Sequence, residues 1–453
     1  MDKFSVLIVS IIASFLTPFM GASINVALPS IGNEFKMDAI LLSWVPSSYL
    51  LSTAVFLVPF GRIADIYGRK KIFTYGIFIF TIFTFLSATP NSGFLLILFR
   101  ILQGIGSAMI FSANIAILTS VFPLKERGKV LGINVSSVYI GLSIGPFLGG
   151  ILTQHFSWRS IFLVCVPLGL IVIFLIFWKL KEEWKGLSGE KFDLIGSFIY
   201  SVTVISIMYG LSLLPKIIGF IIILIGILCF LIFIRWEIKE ESPVLNINIF
   251  KNNKVFTFSS LAAFINYSAT FAVGFLLSLY LHNIKGLNPQ NTGLILISQP
   301  IVMAIFSPIA GKLSDKVEPR IVASIGMIMS AIGLSFFIFL NEQTSLEFII
   351  SGLIFLGFGF ALFSSPNMNA IMSSVEKKFY GIASAIVSTM RLIGQMFGMG
   401  ITTLTFALYI GRVEITPEYY PVFLKSIHTS FVIFTILSLF GIYASFVRGK
   451  VHT

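Results

Sequence analysis

Long uncharged apolar runs alternate with short charged segments along the whole chain. Runs of about 18 to 25 apolar residues match the length at which an α-helix crosses the hydrocarbon core. They are too long and too uniform for the alternating segments of a membrane barrel. The pattern predicts fourteen spans, at 5–28, 40–60, 72–89, 94–120, 130–153, 159–178, 194–214, 217–235, 255–281, 292–311, 321–340, 346–370, 380–410 and 426–447. The expected fold class is an all-α polytopic membrane protein embedded in the lipid bilayer.

The charged segments have a polarity. With alternate loops assigned to alternate faces, 23 of the 31 Lys and Arg fall on the face that carries both termini. Only 6 fall on the other face, and Arg100 and Arg391 lie within spans. Cytoplasmic loops carry such an excess. The expectation is a multi-pass protein of the cell membrane with both termini cytoplasmic. The first run continues to Leu28 without a small-residue cleavage site, so it reads as a span rather than a removed signal.

A repeat lies beneath this pattern. Gly104, Gly106, Ala108 and Asn114 recur 253 residues later as Gly357, Gly359, Ala361 and Asn367. At the same offset Gly128, Gly141 and Gly145 recur as Gly381, Gly394 and Gly398. The offset carries span 4 to span 12, a shift of eight rather than six. Two parallel six-span halves, 1–178 and 255–453, are therefore expected around an inserted two-helix segment at 179–254. The charged linkers Lys179–Asp193 and Arg235–Lys254 flank the insert. Parallel repeats of this kind build alternating-access transporters with a central site.

Composition narrows the class further. The chain has 453 residues, of which 56% are hydrophobic and 11% charged, with a mean hydropathy of +0.97. Soluble chains carry about 25% charged residues. The net charge is +12, but the cations sit in short loops without interleaved aromatics, so no nucleic-acid partner is expected. Two cysteines and four scattered histidines give no disulfide framework and no metal spacing. There is no nucleotide loop, catalytic constellation or soluble output domain. No enzyme activity and no cofactor are expected, and a sensor or membrane enzyme has no support.

Three stretches carry candidate chemistry. The first is Gly61–Phe73 (GRIADIYGRKKIF), a compact charged turn between two spans. Asp65 stands near the start of the next helix, where a carboxylate meets exposed N–H groups and a positive dipole. Arg69 and Lys70 are then its charge partners. The cluster reads as a switch between two helix arrangements, or as a plain topogenic loop. The second is Gly141, Gly145 and Gly149 in span 5, one bare stripe at i, i+4, i+8, with Pro146 inside it. Such a stripe lets membrane helices pack closely, and the proline favours a kink. The third is Arg100-Ile-Leu-Gln103-Gly104 in span 4. A cation at mid-membrane costs about 2.5–3.5 kcal/mol on insertion scales, so Arg100 should face the interior or a cavity, or else snorkel outward.

These stretches resemble a known family. Gly61-Arg62-Ile63-Ala64-Asp65-Ile66-Tyr67-Gly68-Arg69-Lys70 is similar to the loop 2–3 signature of the major facilitator superfamily, with Ile66 where a basic residue is usual. Gly141 to Gly150 resembles the span 5 motif of drug:proton antiporters, and Arg100-x-x-Gln103-Gly104 resembles their proton-linked motif. Ser23 to Pro29, Trp44 to Tyr49, and Arg391 with Gly394 and Gln395 look like features of the fourteen-span drug:proton antiporter family. The resemblance implies gating by Gly61, Asp65, Gly68, Arg69 and Lys70. It implies proton coupling at Arg100, Gln103 and Gly104, and an antiporter bend at Gly141, Gly145, Pro146 and Gly149. Met20 stands where that family often has an aspartate.

Of 19 acids, 13 fall in cytoplasmic segments and 6 on the other side, counting Glu347 at the very edge of its span, so none lies deep within a span. The candidate substrate cavity is therefore neutral or cationic: Asn25, Trp44, Tyr49, Asn114, Tyr139, Asn266, Gln299, Asn367, Arg391 and Gln395. Each Asn is equally suited to bridging helices. The favoured expectation is a monomeric exporter of lipophilic small molecules or drugs, coupled to protons. The alternative is a facilitator or importer of a neutral or anionic metabolite on the same fold.

Overall fold

The structure is a computed structural model. It describes the backbone of residues 3–184, 191–245, 247, 250, 253–375 and 380–449, and the side chains of these except 124, 125, 127–129, 131, 132, 135, 380–382, 384 and 385. The expected linkers lie partly outside the described residues. Among the described residues the chain forms helices α1 (Lys3–Phe35), α2 (Ala39–Tyr67), α3 (Arg69–Leu86), α4 (Gly93–Val121), α5 (Leu124–His155) and α6 (Arg159–Lys179). Then come α7 (Leu194–Leu213) and α8 (Ile217–Lys239). The series closes with α9 (Lys254–Thr270 and Val273–Asn283), α10 (Pro289–Leu296 and Ser298–Ser314), α11 (Pro319–Ile338), α12 (Leu346–Ser373), α13 (Tyr380–Tyr409) and α14 (Tyr420–Val447).

Thirteen described helical segments are long and apolar enough to cross a membrane. The fourteenth predicted span is α3. Its 18 residues open with Arg69, Lys70 and Lys71, and its apolar part begins at Ile72. The fourteen predicted runs and the fourteen helices coincide in order. Polar loop residues set several of their starts. Asp38 accepts from the Leu41 amide at 2.7 Å, and Asn253 accepts from the Phe256 amide at 2.9 Å. Such caps satisfy N–H groups that the helix cannot pair.

Two predicted spans are broken rather than continuous. In α10 the break falls at Ile297, and Pro300 lacks the N–H that would bond Leu296. In α9 it falls at Phe271 and Ala272, just after the Thr270 hydroxyl donates to the Asn266 carbonyl at 2.8 Å. Back-bonding of this type bends helices.

The packing repeats. In the first half α1 lies on α5 and α6, α2 on α4, and α3 on α4 and α6. In the second half α9 lies on α13 and α14, α10 on α12, and α11 on α12 and α14. Glycines set the repeated close approach. A Cβ on Gly141 would sit 2.7 Å from the Phe15 carbonyl oxygen, and one on Gly394 would sit 2.5 Å from that of Phe264. The inserted pair is central in sequence but peripheral in space. Helix α7 packs on both α2 and α13, and α8 packs on α7. The outward side of α8 exposes Ile221, Leu224, Leu228 and Leu231. A helix satisfies its own backbone groups, so this apolar surface is stable in lipid.

Candidate functional site

The turn between α2 and α3 is a single residue. Gly68 has φ +132°, in the region that favours glycine. A Cβ there would lie 2.6 Å from the Glu183 side-chain carbon. Glu183 fills the spot because its carboxylate caps α3. Oε1 accepts from the Lys70 amide at 2.8 Å, and Oε2 accepts from the Lys71 amide at 3.2 Å. The exposed N–H groups of α3 are thus met by Glu183, not by Asp65 as expected. Asp65 instead receives Arg69 Nε at 2.7 Å and Nη2 at 2.6 Å. Held so, Arg69 Nη1 donates to the Ala116 carbonyl at 3.2 Å and to Ser120 Oγ at 2.6 Å, at the end of α4. Asp65 therefore aims Arg69 at α4 while Glu183 ties the linker after α6 to α3.

Arg100 does not snorkel. Its side chain is fully buried. Its guanidinium lies over the Tyr49 ring at 4.2 Å and donates to Gln103 Oε1 and, at 3.4 Å, to the Val45 carbonyl. Gln103 Nε2 donates on to Thr84 Oγ1 at 2.6 Å, and Tyr49 hydroxyl pairs with Ser107 at 2.6 Å. The chain of contacts joins α2, α3 and α4. Gly104 belongs to the same seam: a Cβ there would lie 2.5 Å from the Tyr49 carbonyl oxygen.

The α5 stripe faces its own half. Cβ atoms at Gly145 and Gly149 would stand 2.7 Å from Ala22 Cβ and 2.9 Å from Ser23 Cα, both on α1. Ser23 Oγ donates to the Gly145 carbonyl at 2.9 Å. The neighbouring positions face the other half. A Cβ at Gly150 would lie 2.5 Å from the Pro289 carbonyl oxygen, and Gly293 rests on the Pro146 carbonyl. The halves also join through Ser43 and Thr403 hydroxyls at 2.9 Å, the Ala39 amide and Val413 carbonyl at 3.1 Å, and His155 and Gln290 at 3.1 Å. All these contacts lie at the face opposite the basic loops, so that face is sealed.

Deeper in, both halves contribute to one cluster. Tyr139 hydroxyl of α5 meets Ser364 Oγ of α12 at 3.2 Å, with Tyr267 and Arg391 within electrostatic reach. Arg391 of α13 lies 5.7 Å from the Phe111 ring of α4. Tyr267 stacks edge-on against Phe360 at 5.4 Å. Gln395 stands one turn from Arg391 on the same face of α13. Asn25 faces Gly274 of α9, with Nδ2 3.4 Å from the position of a Cβ there. Asn25 Oδ1 and both polar atoms of Asn266 are buried with no hydrogen-bond partner. Buried polar groups are normally paired, and these three atoms are not.

The other candidates lie elsewhere. Asn114 Nδ2 donates to Ser14 Oγ at 2.7 Å, and Asn367 Nδ2 donates to the Ser259 carbonyl at 3.1 Å, each within its own half. Asn367 Oδ1 also accepts from Arg448 at 2.6 Å. Arg448 is fully buried, and burial pulls its pKa down to about 10. Trp44 packs against Tyr209 of α7 at 6.2 Å. The Gln299 carbonyl lies against Gly357, 2.6 Å from the position of a Cβ there. Glu183 and Gly293 were invisible to sequence reasoning because their partners are distant in the chain.

The major facilitator superfamily profile matches residues 10–257 and 259–452. The chain belongs to the Major Facilitator Superfamily. Its members are membrane transporters. The riboflavin transporter RibZ of Clostridioides difficile is 31% identical over 90% of this chain and 89% of its own length. The multidrug resistance protein Stp of Mycobacterium tuberculosis is 30% identical over 85% of this chain and 73% of its own. Among solved structures, a bacterial homolog of the human lysosomal transporter Spinster, inward-facing and unoccupied, gives a TM-score of 0.69 at 17% identity. That match covers 98% of this chain and 96% of the other. A D-xylose–proton symporter gives 0.65 at 14% identity, covering 95% and 97%. These structures share the major facilitator fold with this chain.

Proposed function

We propose that this transporter exports lipophilic aromatic small molecules across the cell membrane in exchange for protons, by alternating access. The observation that carries this reading is the cluster of Phe111, Tyr139, Tyr267 and Arg391, drawn from both halves. A site shared by two halves is exposed to either face as the halves rock. Aromatic walls with a few convergent polar groups suit lipophilic ligands. With the basic face read as cytoplasmic, the sealed face is the outer one, and substrate enters from within. The end of α2, the Gly68 turn and the start of α3 then act as the cytoplasmic latch, through Gly61, Asp65, Gly68, Arg69 and Lys70. The protein works as a monomer, since the cluster needs no second copy. Stp supports drug export as a relative.

The test is reconstitution with an imposed proton gradient, following a fluorescent lipophilic cation. Accelerated movement against the gradient is expected, and gradient-indifferent transport would sink the antiport reading. A second reading has its own support. Arg391 gives the cluster a cation, and RibZ is a riboflavin transporter. Uptake of a neutral or anionic aromatic metabolite fits both observations. Saturable binding of riboflavin with none of lipophilic cations would select it.

A further inference from the structure

The insert holds two acids that none of the roles above uses. Asp193 caps α7, and Glu237 lies in the last turn of α8. Both are buried, at 7% and 2% exposure. Their carboxylates converge on the bare Cα of Gly196. A Cβ there would collide with Asp193 Oδ2 and lie 2.7 Å from Glu237 Oε1.

The two acids are served unequally. Asp193 Oδ1 accepts the Gly196 amide at 2.8 Å, and Trp236 Nε1 donates to both its oxygens at 3.2 and 3.1 Å. Glu237 Oε2 accepts the Leu245 amide at 2.9 Å, but Oε1 is buried with no partner. Two adjacent buried carboxylates resist being ionised together. A carboxylate oxygen without a donor in a buried site carries its full desolvation cost. A proton on Oε1 removes both penalties, because the neutral acid becomes a donor facing Asp193. Among the described residues, Glu240 of the segment after α8 and Arg62 of α2 also act on Glu237. Arg62 is the second residue of the loop 2–3 stretch.

We propose that Glu237, with Asp193 beside it, is a proton-binding site at the foot of the inserted pair. Three hydrogen bonds hold the Asp193 carboxylate in place, and Glu237 exchanges the proton with water at the basic face. Ionised Glu237 attracts Arg62, and protonated Glu237 does not. Proton occupancy in the insert is thereby felt by the loop between α2 and α3. This coupling role rests on the antiport reading; the binding site does not.

The protonation is read directly by infrared difference spectra of the full chain in lipid nanodiscs across a pH series. The wild type is expected to show a titrating protonated-carboxyl band that shifts in D2O. Glu237→Gln should lose it, and the exposed control Glu241→Gln should keep it. Asp193→Asn should move its midpoint to lower pH, because a negative neighbour that favours protonation is gone. An unchanged band in Glu237→Gln, or an unmoved midpoint in Asp193→Asn, overturns the site. In proteoliposomes, gradient-driven transport should be lost in Glu237→Gln while downhill substrate exchange persists. A Glu237→Gln protein as gradient-driven as wild type overturns the role and leaves antiport standing. A wild type indifferent to the gradient removes antiport and the role together.

Discussion

Pro146 of α5 and Gly293 of α10 meet backbone to backbone, and a side chain on Gly293 would collide with the Pro146 carbonyl. The contact joins the two halves without side chains. Gly293→Val should hold the sealed face open. In a background lacking Cys165 and Cys229, a cysteine at Ser43 should then react several-fold faster with a membrane-impermeant thiol reagent. Transport should fall in parallel. Unchanged labelling would mean that the halves part elsewhere.

The Asp65–Arg69 pair and the Glu183 cap hold the α2–α3 turn from opposite sides. A lost helix cap costs about 0.5–2 kcal/mol. Glu183→Gln is therefore expected to reduce turnover by about tenfold, the factor that corresponds to 1.4 kcal/mol. Asp65→Asn should abolish turnover while the protein still inserts and purifies as a monomer. Wild-type turnover in Asp65→Asn would return the stretch to a plain topogenic turn.

Arg100 combines a stacked and a hydrogen-bonded geometry that lysine cannot copy. Arg100→Lys leaves Gln103 Oε1 short of its donor in a buried site. An unsatisfied buried group costs about 1–3 kcal/mol. Thermal unfolding in detergent should show a lower midpoint for Arg100→Lys, together with lost transport. A wild-type midpoint would show that charge alone is what the site needs.

Two sets of polar residues should separate in their effects. Tyr139→Phe removes the hydroxyl that meets Ser364 in the shared cluster. At about 1 kcal/mol for a net hydrogen bond, substrate affinity should drop roughly fivefold with stability held. Asn114→Ala removes contacts within the first half. It should lower the unfolding midpoint and leave affinity unchanged. Scintillation-proximity binding and thermal melts on both variants read the difference, and an exchange of the two phenotypes would move the cluster.

What the sequence shows and what it hides follow from range. The Gly141, Gly145, Gly149 stripe was legible because helical spacing places those residues on one face, and the face does pack on α1. The fourteen spans were legible because apolar length is a local property. Arg100 could be placed inside from its cost in lipid, but not its seat on Tyr49, which comes from another helix. Glu183 carried no signal, since its partners are amides of α3 about a hundred residues earlier. Asp65 stands closest to those amides in sequence, but Glu183 occupies them. The broken helices are not legible from apolar length, which runs through both breaks: Pro300 stands beside the break in α10, and Thr270 is an ordinary residue until its hydroxyl turns back on the Asn266 carbonyl.

The attachment of α7 has a mechanical meaning. Tyr200 hydroxyl donates to the Ala54 carbonyl at 3.0 Å, and Tyr209 rests on Trp44, so polar and aromatic contacts bind α7 to α2. Against α13 the same helix offers Leu211 and Met208 to the bare surface of Gly400, with Cβ-position distances of 3.0 and 3.3 Å. Greasy contacts such as these slide at little cost, and hydrogen-bonded ones do not. We infer that the insert travels with the first half, so the machine divides for movement into eight helices against six.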